Sequence, residues 1–405
     1  MSQAHCNCCG STRLKEVLSL GEMPIAHRFH RSLPEEKEYR HPLTVHICED
    51  CALIQIVDPI PPEVLYRDYN FCFTSWKVQP QTAREIALIK QCVGRTELIV
   101  EIGSNDGSFL NEMTASGLQN LIGVEPNREA CAIARKVGVP IHESFYSRET
   151  ADKILSAAGG AALVVSRQVV EHISDLTALM EDIRFLLKND GWIMFEVPDF
   201  EVPMSYGDVS SLWEEHINYF TEPVMVALLR RHGFEAQIVE RYPTNAGALM
   251  VLARRMERGG ILAPIGKEQG IEAVRALAAE YASKAGRFRK ALIKRLDENH
   301  RKGGKNVLYG TGCRANAVIN GLGLQGSFDL LVDDQPEKQG LLMPGTLMTI
   351  EPSEAMQDMP GLCVLSVNAE HEEKVMQRHE RYRNCGGRFY SANSPSPLYS
   401  KVLEL

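Results

Sequence analysis

Several things are missing from this sequence of 405 residues. No apolar run approaches the roughly 18 residues that a membrane span needs. The polar stretch Met1 to Cys9 has nothing of a secretory signal. We therefore expect a cytoplasmic protein with no membrane partner. Positive charge is not in excess: 44 Lys and Arg stand against 52 Asp and Glu, a formal net charge of −8. Such a balance excludes general attraction to nucleic acid or to an anionic lipid surface. The local basic run Arg287 to Arg295 alternates with apolar residues, as a solvated helix face does. Internal repeats at solenoid spacing and long low-complexity tracts are absent. A disulfide framework is also unexpected for the 11 cysteines, because the cytosol keeps thiols reduced.

What is present is ordinary globular material, 44% hydrophobic and 24% charged, with length for two or three domains. Residues 1–76 are rich in Cys and Pro, with strand-like runs at Leu43–Ile47 and Leu53–Val57. Residues 77–265 open with a helix-forming stretch near Ala83–Val93. Strand signals at Leu98–Ile102, Leu121–Val124, Ala162–Ser166 and Trp192–Val197 then alternate with helices. That alternation predicts an α/β fold with a parallel, doubly wound sheet. Residues 266–405 begin with a charged, Ala-rich stretch, Lys267–Arg301, read as one long helix or a helical pair ending at Gly303-Gly304. A second α/β pattern follows at Val307–Tyr309, Leu330–Val332 and Cys363–Val367.

Four cysteines are paired: Cys6-x-x-Cys9 and Cys48-x-x-Cys51. Each spacing lets two thiolates converge from one turn, and two such turns complete the tetrahedral sulfur shell that Zn²⁺ prefers. Cys8 lies within the first knuckle, as a competing ligand or a bystander. Neither knuckle holds a catalytic His or Glu, so the expected zinc is structural.

The segment Val100 to Leu110 runs from a buried strand through a Gly-rich turn into a helix, where backbone can approach a nucleotide closely. It lacks both Gly-x-Gly-x-x-Gly and a Walker Lys, so it is not built to cradle phosphate. Glu101 and Asp106 oppose an anionic pyrophosphate but suit the cationic sulfonium and ammonium of S-adenosylmethionine. Gly103, Asn105 and Gly107 shape the turn. The next strand ends in Glu125-Pro126, where an acidic side chain can take both ribose hydroxyls. Phe145 is placed to lie against adenine, and Gln168 opens the loop after the following strand.

Taken in order, the four cysteines, Leu20–Ala26, Glu101–Gly107, Glu214–Phe220 and Gly340–Thr346 resemble the nucleotide-sugar C-methyltransferases of 3-C-methyl deoxysugar pathways. The resemblance covers almost the whole chain. It implies a zinc-binding N-terminal domain, a class I methyltransferase Rossmann-like core and a C-terminal Rossmann-like domain, with a nucleotide-linked sugar as substrate. It places the proposed base on His216, with Glu215 as its carboxylate neighbour in the motif and His172 as a second active-site His. Tyr69, in the aromatic arm Tyr66 to Ser75, is the candidate substrate contact from the N-terminal domain.

The match also departs from the family. Trp213-Glu214-Glu215-His216 stands where the family has Tyr-His-Glu-His, and Thr244–Leu249 replaces a Gly-Gly-Ser-Leu type stretch. Indole donates one hydrogen bond and transfers no proton. Three readings therefore stand at the level of sequence. They are methylation of a keto-sugar carbon through an enolate, methylation of oxygen or nitrogen on a related scaffold, and nucleotide binding without chemistry. In the C-terminal part, Tyr309 to Ala317 opens a helix after a strand. Arg314 there is either a pyrophosphate contact or part of a purely structural domain.

Overall fold

The computed structural model of the chain describes residues 4–65, 79–243, 247–256 and 270–404. Tyr69 and its arm, residues 244–246 and the stretch around the boundaries at 76/77 and 265/266 lie outside them. Among the described residues, no helix is long and apolar enough to cross a membrane.

Three sheets organise the chain. The first joins β1 (Leu14–Pro24), β2 (Arg40–Cys48), β3 (Ile54–Ile56) and, from far along the sequence, β9 (Asn218–Tyr219), in that order. The second is seven-stranded and holds β4 (Ile99–Ile102), β5 (Leu121–Glu125), β6 (Ile141–Glu143), β7 (Ala161–Arg167), β8 (Leu187–Pro198), β10 (Phe234–Tyr242) and β11 (Ala248–Arg255). Its order is β10-β11-β8-β7-β4-β5-β6. β11 runs antiparallel to both neighbours, while β8, β7, β4, β5 and β6 are parallel. The third is wholly parallel, β14 (Ile350–Pro352), β13 (Leu330–Asp333), β12 (Lys305–Tyr309), β15 (Gly361–Leu365) and β16 (Arg388–Ser391).

The central strands β4 and β7 are apolar along most of their length because helices cover both faces. Both expected Rossmann-like sheets are present, and β6, β10 and β11 extend the second beyond the four strands the sequence marked.

The stretch expected as one helix or two is a single helix, Ile271–Arg301. Its buried side chains Ile271, Val274, Ala278, Tyr281, Ala285, Phe288, Leu292, Leu296 and Asn299 recur every three or four residues, so one face is apolar from end to end. That face packs against the short helix Glu201–Tyr206, β1 of the first sheet and β12 and β15 of the third. Tyr281 donates to the backbone carbonyl of Asp208 at 2.7 Å. Phe288 stacks on Tyr399 with centroids 4.0 Å apart.

Gly207 closes the short helix Glu201–Tyr206 with φ 78°, and a Cβ there would stand 2.5 Å from the backbone of Lys284 and Ala285. Gly207→Ala combines left-handed strain with this clash. It should destabilise the protein by roughly 1–3 kcal/mol, read as a lower denaturant midpoint at unchanged slope.

Candidate active site

The carboxyl edge of the seven-stranded sheet gathers the cofactor residues. Gly103 (φ 72°) and Asn105 (φ 48°) turn the chain after β4, and Gly107 (φ 77°) precedes the helix Ser108–Ala115. Glu125 at the tip of β5 is pinned from both sides. One oxygen accepts from the Asn105 N–H at 3.0 Å, the other from the Asn127 N–H at 2.8 Å. Each oxygen keeps a lone pair for a further donor, as a ribose diol requires. Asp106 accepts from the Ser108 amide at 3.1 Å and hydroxyl at 2.6 Å. Pro126 follows Glu125, and Phe145 is 76% exposed with a free aromatic face nearby in the chain after β6. Gln168, also left-handed at φ 55°, donates from Nε2 to Glu196 at 3.0 Å.

Glu101 lies beneath this loop, 3% exposed, and its Oε2 has no hydrogen-bond partner among the described residues. Burial pushes its pKa up to about 8, against the pull of Arg167. A buried carboxyl with an unused oxygen is a site for a cation. The loop therefore fits S-adenosylmethionine, whose positive charges would sit above Glu101 and whose ribose would meet Glu125. The sequence did not disclose the network below. Arg167 bridges Glu85 at 3.3 Å and Glu196 at 3.2 Å, and its guanidinium lies 4.1 Å from the Phe109 ring centroid.

The zinc knuckles close on one point. The ligand atoms of Cys6, Cys9, Cys48 and Cys51 lie within 4.8 Å of one another, with Cys6 to Cys51 at 3.4 Å and Cys9 to Cys48 at 3.6 Å. A zinc bound by four sulfurs at about 2.3 Å has tetrahedral edges near 3.8 Å, so the set fits with small adjustments. Cys8 is fully buried beside the knuckle but is not one of the four.

The catalytic candidates meet where the two loops after β7 and before β9 touch. His172 and His216 pack edge to face with centroids 4.9 Å apart, and Trp213 covers His216 at 3.9 Å. The His172 Nδ1 lies 2.7 Å from the Glu215 carbonyl oxygen; as the N–H donor there it leaves Nε2 as an acceptor. Burial, with His172 and Arg314 adding to it, holds His216 well below the usual imidazole range, so it is neutral at physiological pH. Glu171, missed by sequence reasoning, completes the cluster. Ligand atoms of Glu171, His172 and His216 fall within 4.8 Å of one another. Neither Glu171 oxygen has a hydrogen-bond partner among the described residues, and burial raises its pKa to about 7.

The Glu215 carboxylate meets His27, whose Nδ1 is 3.5 Å from Oε2. Glu214 stands 4.0 Å from the same His27 nitrogen, accepts from the Ala26 N–H at 2.8 Å, and is raised to about 7 by burial and by Glu215. Burial lowers His27, but the two carboxylates outweigh it and its pKa is raised. The one sequence signal for His27 was its place directly after Leu20–Ala26. Arg314 is turned towards the core, 3.3 Å and 3.4 Å from the Ser210 and Ser211 hydroxyls and 6.0 Å from the Trp213 centroid. Tyr219 and Phe220 are buried packing, with the Tyr219 hydroxyl donating to the Trp213 carbonyl at 3.2 Å.

Known proteins match along nearly the whole chain. Three family profiles align in succession: a zinc binding domain over residues 6–66, a methyltransferase domain over 80–239 and a C-methyltransferase C-terminal domain over 244–392. The C-methyltransferase NovU of Streptomyces niveus is 27% identical over 403 residues, 95% of this chain and 94% of that protein. Among solved structures, the Burkholderia thailandensis 1,6-didemethyltoxoflavin-N1-methyltransferase with bound S-adenosylhomocysteine is 18% identical. It covers 51% of this chain and 96% of its own, with a TM-score of 0.37. An S-adenosylmethionine-dependent methyltransferase from Mesorhizobium loti is 16% identical over 42% of this chain and 96% of its own, with a TM-score of 0.33.

Two outcomes follow from the geometry. A Cβ on Gly103 would meet Val169 Cγ2 at 2.3 Å in a left-handed backbone. Gly103→Ala should therefore weaken calorimetric binding of S-adenosylhomocysteine by on the order of 10-fold or more. The second concerns pH. Glu101, Glu171 and Glu214 bind protons more tightly folded than unfolded, so their stabilising contribution is full below about 4.5 and is lost as pH rises through about 7 to 8. His216 acts oppositely, contributing above its ordinary value of 6.5 and losing that as pH falls. The Tm of the free protein should fall between about pH 6 and about pH 9, and Glu101→Gln should flatten that fall; a Tm that rises over this range would contradict the assignment.

Proposed function

Because this chain belongs to the zinc-binding, class I S-adenosylmethionine-dependent C-methyltransferases, we propose that its acceptor is a nucleotide-linked keto-deoxysugar, methylated on the carbon next to the ketone. The observation that carries this reading is His216, a buried neutral imidazole held edge to face against His172. Such a carbon becomes a nucleophile only after its α-proton is removed, whereas oxygen or nitrogen acceptors need no enolate. S-adenosylmethionine, when bound, supplies an activated methyl group that needs mainly alignment.

The protein's own residues handle the proton and the charge. His216 takes the α-proton from the substrate carbon. The resulting imidazolium is stabilised by the carboxyl of Glu171, whose ligand oxygen lies within 4.8 Å of the His216 ring nitrogen. His172, fixed in orientation by the Glu215 carbonyl, sits next to the same reacting centre. It has no proton on Nε2 in that tautomer, so its service to an enolate oxygen requires protonation, with Glu171 Oε1 4.0 Å from Nε2 as counter-charge. Tyr69 is the proposed contact from the N-terminal arm. We divide the chain at 76/77 and 265/266 into zinc-binding, cofactor-binding and C-terminal parts. Zinc on Cys6, Cys9, Cys48 and Cys51 holds the first part and takes no part in chemistry.

The decisive measurement is exchange of the α-proton for deuterium in a panel of nucleotide-linked keto-sugars, with S-adenosylhomocysteine bound. Exchange with at least one sugar is expected, and His216→Asn should abolish it while leaving S-adenosylhomocysteine affinity within about 2-fold. Methylation without any exchange would point to an oxygen or nitrogen acceptor. Metal content should be one zinc per chain. A second equivalent lost on Glu171→Ala would mean that Glu171, His172 and His216 hold a cation, and His216 would then be no base.

A further inference from the structure

We propose that Asn218 is a positioning residue that ties the two histidines of the active site to the cysteine knuckle of the N-terminal sheet. The proposal rests on His172 and His216 acting as described above.

The backbone comes first. β9 begins two residues after His216 and pairs with β3, Gln55 opposite Asn218 and Ile54 opposite Tyr219. The Ile56 N–H donates to the Ile217 carbonyl at 2.8 Å, and the Ile217 N–H donates to the Glu171 carbonyl at 2.8 Å. The chain after His216 is thus held by the N-terminal sheet on one side and by the His172 loop on the other.

The Asn218 side chain, 1% exposed, repeats that bridge. Its Nδ2 donates to the carbonyl of Ile173, the residue after His172, at 2.7 Å. Its Oδ1 accepts from Asn7 Nδ2 at 2.9 Å. Asn7 lies inside Cys6-x-x-Cys9, and its own N–H donates to Gln55 Oε1 at 2.9 Å, while Gln55 Nε2 donates to the His5 carbonyl at 3.0 Å. One buried amide therefore connects the His172 loop, the strand after His216 and the metal knuckle. An amide suits the place because a donor is needed at one end and an acceptor at the other. Asp lacks the donor, and an apolar residue strands both partners in the interior.

The consequence is that the zinc module fixes catalytic geometry and not only its own fold. Displacing a catalytic group by about 1 Å costs on the order of 100-fold in rate. Asn218→Ala should lower kcat by roughly 10- to 100-fold on whichever keto-sugar turns over. S-adenosylhomocysteine affinity should stay within about 2-fold and zinc at one per chain, because neither site contains Asn218. In the S-adenosylhomocysteine complex, the imidazole nitrogen NMR signals of His172 and His216 should move. Asn7→Ala, at a half-buried position, should shift the same signals less and lower kcat less; it decides the matter if Asn218→Ala does not fold. Unmoved signals, or a parallel loss of zinc and cofactor affinity, would each overturn the proposal. A fully active His216→Asn would overturn the parent reading, and this one with it. An inert His216→Asn beside an unimpaired Asn218→Ala would overturn this proposal alone.

Discussion

The arrangement depends on a two-residue strand that belongs to one part of the sequence and pairs with another. Asn218–Tyr219 follows directly on the motif that carries His216, yet its ladder partner is β3 of the N-terminal sheet. A strand this short has little stability of its own. It is held because Tyr219 packs on Phe200 with centroids 4.7 Å apart and because Asn218 is fully hydrogen-bonded. Residues 213–216 are consequently suspended between the two sheets, with both ends anchored.

Around that motif the protein concentrates buried carboxyls. Glu101, Glu171 and Glu214 are each at least nine-tenths buried, and each has its pKa raised above the carboxylate range. Ionising all of them in the empty protein is costly. A cation bound above Glu101 would offset that cost, since the charged carboxylate would gain a partner. The same low-dielectric setting keeps His216 neutral. Burial thus holds both the carboxyls and the imidazole towards their uncharged forms in the empty protein.

Legibility in the sequence follows distance along the chain. The cofactor turn was readable because strand, turn, helix and acidic residues all fall within Val100–Leu110, and Glu125 sits at the end of the very next strand. The cysteine pairs were readable because each knuckle is local. His216 and His172 were singled out separately, but nothing in the sequence reports that they touch. His27, Asn7 and Asn218 were not readable as site residues, since His27 meets Glu215 and Asn7 meets Asn218 across about 190 and 210 positions. Glu215 was named for its place beside His216 in the motif; that its carboxylate reaches His27 and its carbonyl His172 is not legible in the sequence. The long helix was ambiguous because its heptad-like spacing is continuous across Gly286, which has nothing within 4 Å of a Cβ position and so imposes no break.

The departure of the motif from the family's Tyr-His-Glu-His pattern now has a physical counterpart. The Glu214 carboxyl meets Ala26 and His27. A histidine in that place would put imidazole against imidazole in a buried setting, with the one carboxylate of Glu215 to share. Glu214 instead gives His27 a second acidic neighbour beside Glu215, and the pair of carboxyls is what raises the His27 pKa despite its burial. The exchange of His for Glu at 214 and the presence of His at 27 are therefore one electrostatic arrangement read from two ends of the chain. The loss of tyrosine at 213 differs in kind. Trp213 fills its space between His216 and the Arg314 guanidinium, so where the family carries a titratable hydroxyl this motif sets an indole face against His216.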